Sequence, residues 1–159
     1  MAQTWQDLLF AHWAVDAAAV RALVPAPLDV DVFEGRAFVG VVPFRMSGIR
    51  LRWLPPVPGT SAFPEINLRT YVTVRDRPGV FFFSLDATNP LAVWTARRFF
   101  HLPYYRARIG CSSEGERVAY ESRRTHPGFP AVGFRGSYGP AGPAVEPRRG
   151  SRVGATEAP

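Results

Sequence analysis

The 159-residue chain contains no lysine; all nineteen of its basic residues are arginine. A guanidinium stays protonated in proteins and is not a nucleophile, so imine chemistry through a side-chain amine is excluded, leaving only a free N-terminal amine. Cysteine is nearly absent too. Cys111 stands alone, so no intramolecular disulfide can form, and no paired Cys/His spacing suggests a metal site. A lone thiol fits a reducing cytoplasm. No run approaches the roughly 20 apolar residues of a membrane helix. The N-terminus lacks a basic n-region, and its apolar stretch from Leu8 to Val20 is broken by His12 and Asp16, which argues against a signal peptide. The abundance of Ala, Gly, Pro and Arg is the pattern of a GC-rich gene.

What is present is a core. With 47% hydrophobic and 13% aromatic residues, the chain has material for one domain and is short for two. Its net charge of +6 is uneven, since residues 1–96 balance eight Arg against eight acids and 97–159 carry eleven against five. A basic C-terminal part attracts anions without specificity. Yet the aromatics lie in apolar runs such as Val80-Phe81-Phe82-Phe83 rather than between arginines, so no single-strand nucleic-acid platform is expected.

The punctuation predicts mostly strands. Gln6 to Trp13 reads as a short strand, with Asp16 as N-cap of an Ala-rich helix to Leu23 that Pro25 stops. Leu28 to Phe33, the turn Glu34-Gly35 and Arg36 to Met46 read as a hairpin, in which Pro43 marks an edge or a bulge. Ile49 to Leu54 is a further candidate strand before a proline-rich loop. Glu65 to Arg75 alternates strictly: Ile66, Leu68, Thr70, Val72 and Val74 share one face, and Glu65, Asn67, Arg69, Tyr71 and Thr73 the other. Val80 to Asp86 is apolar on both faces and predicts a central strand. Asn89-Pro90 opens a helix to about Phe100. Tyr104 to Cys111 and Arg117 to Arg124 flank a turn, and a last strand is expected within Phe129 to Tyr138. There is no internal repeat. This predicts a mostly β, α+β fold: an antiparallel curved sheet or an incomplete barrel with two short helices, one domain over 1–139. Residues 140–159, rich in Pro, Gly, Ala and Arg without periodicity, are expected to be a disordered basic tail.

Three segments carry a resemblance: Trp5 to Trp13; Glu34-Gly35-Arg36-Ala37-Phe38-Val39-Gly40-Val41-Val42-Pro43-Phe44; and Phe63-Pro64-Glu65-Ile66-Asn67-Leu68-Arg69-Thr70-Tyr71-Val72. Ser84-Leu85-Asp86 and Ala96-Arg97-Arg98 leading to His101-Leu102-Pro103-Tyr104-Tyr105 extend it. Together they resemble the YqjF-like bacterial proteins of the acetoacetate decarboxylase-like superfamily, over residues 1 to about 140. The superfamily's decarboxylases end the corresponding helix in Gly-Arg-Glu and then aromatic-Pro-Lys-Lys, one lysine forming the imine and its neighbour lowering that lysine's pKa. Here the arginine and the proline stand, Arg98 replaces the glutamate, and both lysines are tyrosine. The resemblance therefore implies the fold without the imine reaction. It also implies further barrel strands where this chain turns into Pro143-Ala144-Val145-Glu146-Pro147, so the domain is expected to be cut short near Gly150. Unpaired sheet edges would favour a homo-oligomer.

The polar face of the Glu65 strand is the candidate site. Glu65 is the expected general acid or base, Asn67 a partner for a carbonyl, and Arg69 a fork for a carboxylate. Arg97 matches the motif arginine and is a second carboxylate holder, while also complementing the end of its helix. Tyr104, at the imine-lysine place, would present a phenol to the pocket, and His101 would add a proton shuttle or substrate contact. Each has a plainer reading: a solvated strand face, a helix cap, a packed ring, an exposed imidazole. Ser84, Ser137 and Cys111 lack any nucleophile-elbow context. The function expected is binding, and non-imine turnover, of a small carboxylate or keto acid without cofactor or metal. The alternatives are a non-catalytic ligand-binding or assembly module whose cavity is filled by Phe44, Phe82 and Tyr104, and a remnant without activity.

Overall fold

The structure is a computed structural model that describes residues 2–50 and 62–142. The strand expected at Ile49 to Leu54 and the tail expected at 140–159 fall largely outside the described residues.

Two long strands make the frame. Strands β5 (Arg36–Arg50) and β6 (Ala62–Val74) pair antiparallel from Val39↔Thr70 to Ser47↔Ala62. The segment expected as one strand from Gln6 to Trp13 is instead two, β1 (Ala2–Gln6) and β2 (Ala11–Asp16), both paired with β5. The break falls at Asp7, whose φ of 51° lies in the left-handed region that ends a strand.

That break explains Pro43, which sits well inside β5 and not at an edge. β1 pairs with β5 from Arg45 onward and β2 as far as Val41, so Pro43 falls in the gap between them. Its carbonyl accepts from the Leu9 amide at 3.1 Å. A residue with no N–H to offer is tolerated where no ladder bond is asked of it.

The Glu34-Gly35 turn forms with both residues at positive φ, 50° and 76°, as a two-residue hairpin turn requires. Its upstream arm splits: β3 (Asp29–Val30) pairs with β6 and β4 (Val32–Phe33) with β5. Helix α1 (Ala17–Arg21) is capped by the Asp16 carboxylate, which accepts from the Ala19 amide.

β7 (Arg77–Ala87) continues the sheet beside β6. Helix α2 (Pro90–Phe99), capped by Asn89, then carries the chain across to β8 (Tyr104–Glu114). β8 pairs with β7 parallel over Leu85↔Tyr104 to Ala87↔Arg106. This is one departure from the antiparallel expectation, and it follows from the helical crossover, because parallel neighbours need a long connection. Among the described residues β7 is paired on that side only over Leu85 to Ala87, so there only its end is flanked on both sides. β9 (Arg117–Arg124) and β10 (Gly133–Tyr138) complete the path β1-β5-β6-β7-β8-β9-β10.

The sheet curls, because the buried face of β9 returns over β6. The Tyr120 hydroxyl donates to the Glu65 backbone carbonyl at 2.8 Å, joining residues 55 apart in sequence. Two apolar clusters result. Val42, Phe44, Met46, Phe63, Ala87 and Val93 pack under α2, and Val20, Val24, Ala37 and Val72 pack under α1, on opposite faces of β5 and β6.

Candidate functional site

Residues directly opposite in a ladder share a face, so β6 sorts the site into two rows. Glu65 lies between Phe44 and Ala87, Asn67 between Val42 and Leu85, and Arg69 between Gly40 and Phe82. Ile66, opposite Asp86, and Leu68, opposite Ser84, belong to the other face.

On the first face Glu65 is 2% exposed. The Tyr104 hydroxyl donates to its Oε2 at 2.9 Å. Burial pushes this carboxyl up to about 7, against the pull of the Tyr104 hydrogen bond and with a further push from the Asp86 charge. Burial, then the neighbouring Glu65 charge, raises the Tyr104 phenol as well, so the proton of the pair stays on the tyrosine oxygen when Glu65 is ionised. The sequence had pointed to the two separately, Glu65 through the polar strand face and Tyr104 through the resemblance, without pairing them.

Arg97 reaches Tyr104 but not Glu65. Its Nη1 donates to the Tyr104 carbonyl at 2.8 Å, and its guanidinium stacks over Tyr105 and Phe129 at 5.3 and 5.5 Å. It fixes the start of β8 and thereby the tyrosine. His101 is exposed at a left-handed φ of 54° in the turn before β8 and, among the described residues, makes no hydrogen bond or ring contact with the other candidates. The structure therefore joins Glu65 with Tyr104 and leaves Arg97 one step behind them and His101 outside.

Further along the same row, Asn67 is 4% exposed, yet its Oδ1 is buried without a hydrogen-bond partner. Arg69 likewise buries an unpartnered Nε, while its Nη2 donates to the Tyr71 hydroxyl at 3.2 Å and its guanidinium lies between the Phe10 and Tyr71 rings. Tyr71 Oη also lies 2.6 Å from His12 Nε2. Since the phenol oxygen already accepts from Arg69, its own proton is free to go to the imidazole. Gly40 makes room for this, as a Cβ there would sit 3.0 Å from His12 Nε2. His12 was not among the site candidates read from the sequence; its signal is the glycine paired opposite it.

The opposite face holds residues that sequence reasoning missed. Asp86, 6% exposed, accepts from Arg124 Nη2 at 2.8 Å and from Nε at 3.1 and 3.2 Å. Burial raises the Asp86 carboxyl, opposed by the Arg124 hydrogen bonds and charge. The Arg124 guanidinium also lies 4.1 Å from the Tyr105 ring centre. The available signal was a charge closing an otherwise apolar strand. This pair borders a cavity of about 130 Å³ between β6, β7, β9 and β10. Among the described residues no cluster of His, Cys, Asp and Glu is arranged to hold a metal, and no helix is long and apolar enough to cross a membrane.

Comparison with known proteins places the fold and the family. The chain is 52% identical over 124 residues to the uncharacterized protein YqjF of Bacillus subtilis, covering 78% of this chain and 51% of that protein. It therefore spans about half the length of that relative. The fold is similar to the crystal structure of acetoacetate decarboxylase from Legionella pneumophila, with TM-score 0.57 and 14% identity over 76% of this chain and 47% of that one. It is also similar to the enduracididine biosynthesis enzyme MppR complexed with pyruvate, with TM-score 0.55 and 14% identity over 79% and 52%. These likenesses show an acetoacetate decarboxylase-like fold, as the motifs implied. The family model for DUF2071 matches residues 2–155, and the chain belongs to that family of uncharacterized conserved proteins.

Proposed function

We propose that the protein binds a small carboxylate or keto acid against the Glu65-Asn67-Arg69 row and moves a proton on it through Glu65, without an imine. One observation carries this reading. A carboxyl 2% exposed and pushed up to about 7 shares a strand face with an amide and a guanidinium that each bury an unpartnered polar atom. Buried polar groups are ordinarily satisfied, and exceptions mark sites where something else supplies the partner. A carboxyl that titrates near neutral pH both takes and returns a proton at working pH.

In this reading Arg69 holds the ligand carboxylate and Asn67 orients the chain between. Glu65 in its ionised form, held by the Tyr104 hydroxyl, takes a proton from the carbon beside the keto group as the C–H electron pair moves onto the keto oxygen to give the enolate, and the same carboxyl returns a proton to that carbon. Arg97 is a positioning residue acting through Tyr104, and His101 has no part. That the fold neighbour MppR is complexed with pyruvate supports a keto acid as the first probe.

The second reading, a non-catalytic module, draws support from Phe44, 1% exposed, and from Tyr104 packed against the same apolar cluster. Exchange of the methyl protons of pyruvate in deuterated buffer, followed by NMR, separates the two. Exchange that falls by a factor of roughly 10² or more in Glu65→Gln supports proton transfer. Saturable binding lost in Arg69→Leu without exchange supports the module, and neither binding nor exchange overturns both.

A further inference from the structure

A cavity lies on the opposite face of β6. Ser84 and Asp86 project from β7, and Ser122 and Arg124 from β9, into a space of about 130 Å³ walled by Val41, Ile66, Leu68 and Phe134. It shares the lining residues Ser122, Val132, Gly133 and Phe134 with a surface groove of about 430 Å³. At ~30 Å³ per water, it has the volume of about four waters.

Its chemistry is set by charge balance. Asp86 and Arg124 already neutralise each other, with side chains 8% and 11% exposed. A charged ligand would have to break that pair or leave its own charge unmatched in a desolvated space. A neutral one does not. Arg124 spends Nε–H and one N–H of Nη2 on Asp86, out of five N–H donors. The carboxylate in turn keeps acceptor capacity. Side by side, then, stand an acceptor and a donor with two serine hydroxyls nearby and an apolar wall behind.

We infer that this cavity, which Asn67 borders but neither Glu65 nor Arg69 reaches, is a binding site for a small neutral amide with a short alkyl chain, its N–H donating to Asp86 and its carbonyl accepting from Arg124. Propionamide and propionate are near-isosteric and differ in charge, so they form the test. Ligand titrations of the full 159-residue chain near pH 7.5 are followed by protein NMR shifts. The expected result is saturable propionamide binding in the millimolar range and at least about tenfold weaker propionate binding. Leu68→Phe, which fills the cavity without touching the ion pair, should abolish the propionamide shifts. Ser84→Val is a second filling variant if Leu68→Phe does not fold. Glu65→Gln should leave propionamide binding unchanged, so this site and the Glu65 reading fail independently. Propionate binding as tight as propionamide, shifts that survive both filling variants, or no saturation by about 100 mM, the affinity range of a five-atom ligand making poor contacts, would each overturn the inference.

Discussion

Replacing Glu65 by glutamine should remove a pH dependence from the stability of the fold. The Glu65 carboxyl titrates at about 7 in the folded chain against 4.5 in an ordinary environment. A carboxyl raised on folding is favoured there in its protonated form. Its contribution is fully present below about pH 4.5 and is lost as pH rises through about 7. At 1.36 kcal/mol per pH unit of difference, the whole loss is about 3 kcal/mol, and some 2 to 3 kcal/mol of it falls between about pH 5 and pH 8.5. Glutamine is a neutral isostere of the protonated acid and cannot titrate. Asp86, raised in the same direction, tilts both proteins nearly alike, because its coupling to Glu65 is the smallest of the causes acting on that carboxyl. The assay is urea unfolding followed by tryptophan fluorescence at the two pH values for wild type and Glu65→Gln. Wild type should lose about 2 to 3 kcal/mol more than the variant on going to high pH. Parallel losses would refute the reasoning, because they would mean that Glu65 is ionised without cost and is therefore not held in a desolvated place.

Tyr104→Phe deletes the hydroxyl that donates to Glu65 at 2.9 Å and should cost about 1 to 3 kcal/mol, more at high pH where the carboxylate loses its partner. The same pH series should move the Glu65 midpoint above about 7. Arg124→Leu leaves the Asp86 carboxylate buried and alone and should destabilise by about 3 to 5 kcal/mol, while Asp86→Leu combined with Arg124→Met should recover most of that loss in denaturant titrations. Arg135→Ala, by contrast, removes an ion pair to Glu121 whose side chains are 78% and 60% exposed, and its unfolding midpoint should stay within about 0.5 kcal/mol of wild type. Gly40→Val should break the His12–Tyr71 contact by pushing the imidazole aside, visible as a changed His12 ring shift in NMR, since a Cβ there meets Nε2 at 3.0 Å.

Local chemistry was legible in the sequence wherever one residue acts on its neighbours. Asp16 and Asn89 cap the two helices, Glu34-Gly35 turns the hairpin, and the absence of lysine forbids a side-chain imine whatever the fold. Period-two alternation also fixed which residues of β6 share a face, since successive strand side chains point to opposite sides. Alternation does not say what covers each face. That depends on the curl that brings Tyr104 to Glu65, 39 residues away, and Arg124 to Asp86, 38 residues away. Only the tertiary structure decided that Glu65 is desolvated, that Arg97 serves the backbone of Tyr104, that His101 stands apart, and that a cavity opens on the face the alternation marked as apolar. Contacts of such long separation leave no local signal, because the residues that make them are chosen for a partner that the chain meets only after it has folded.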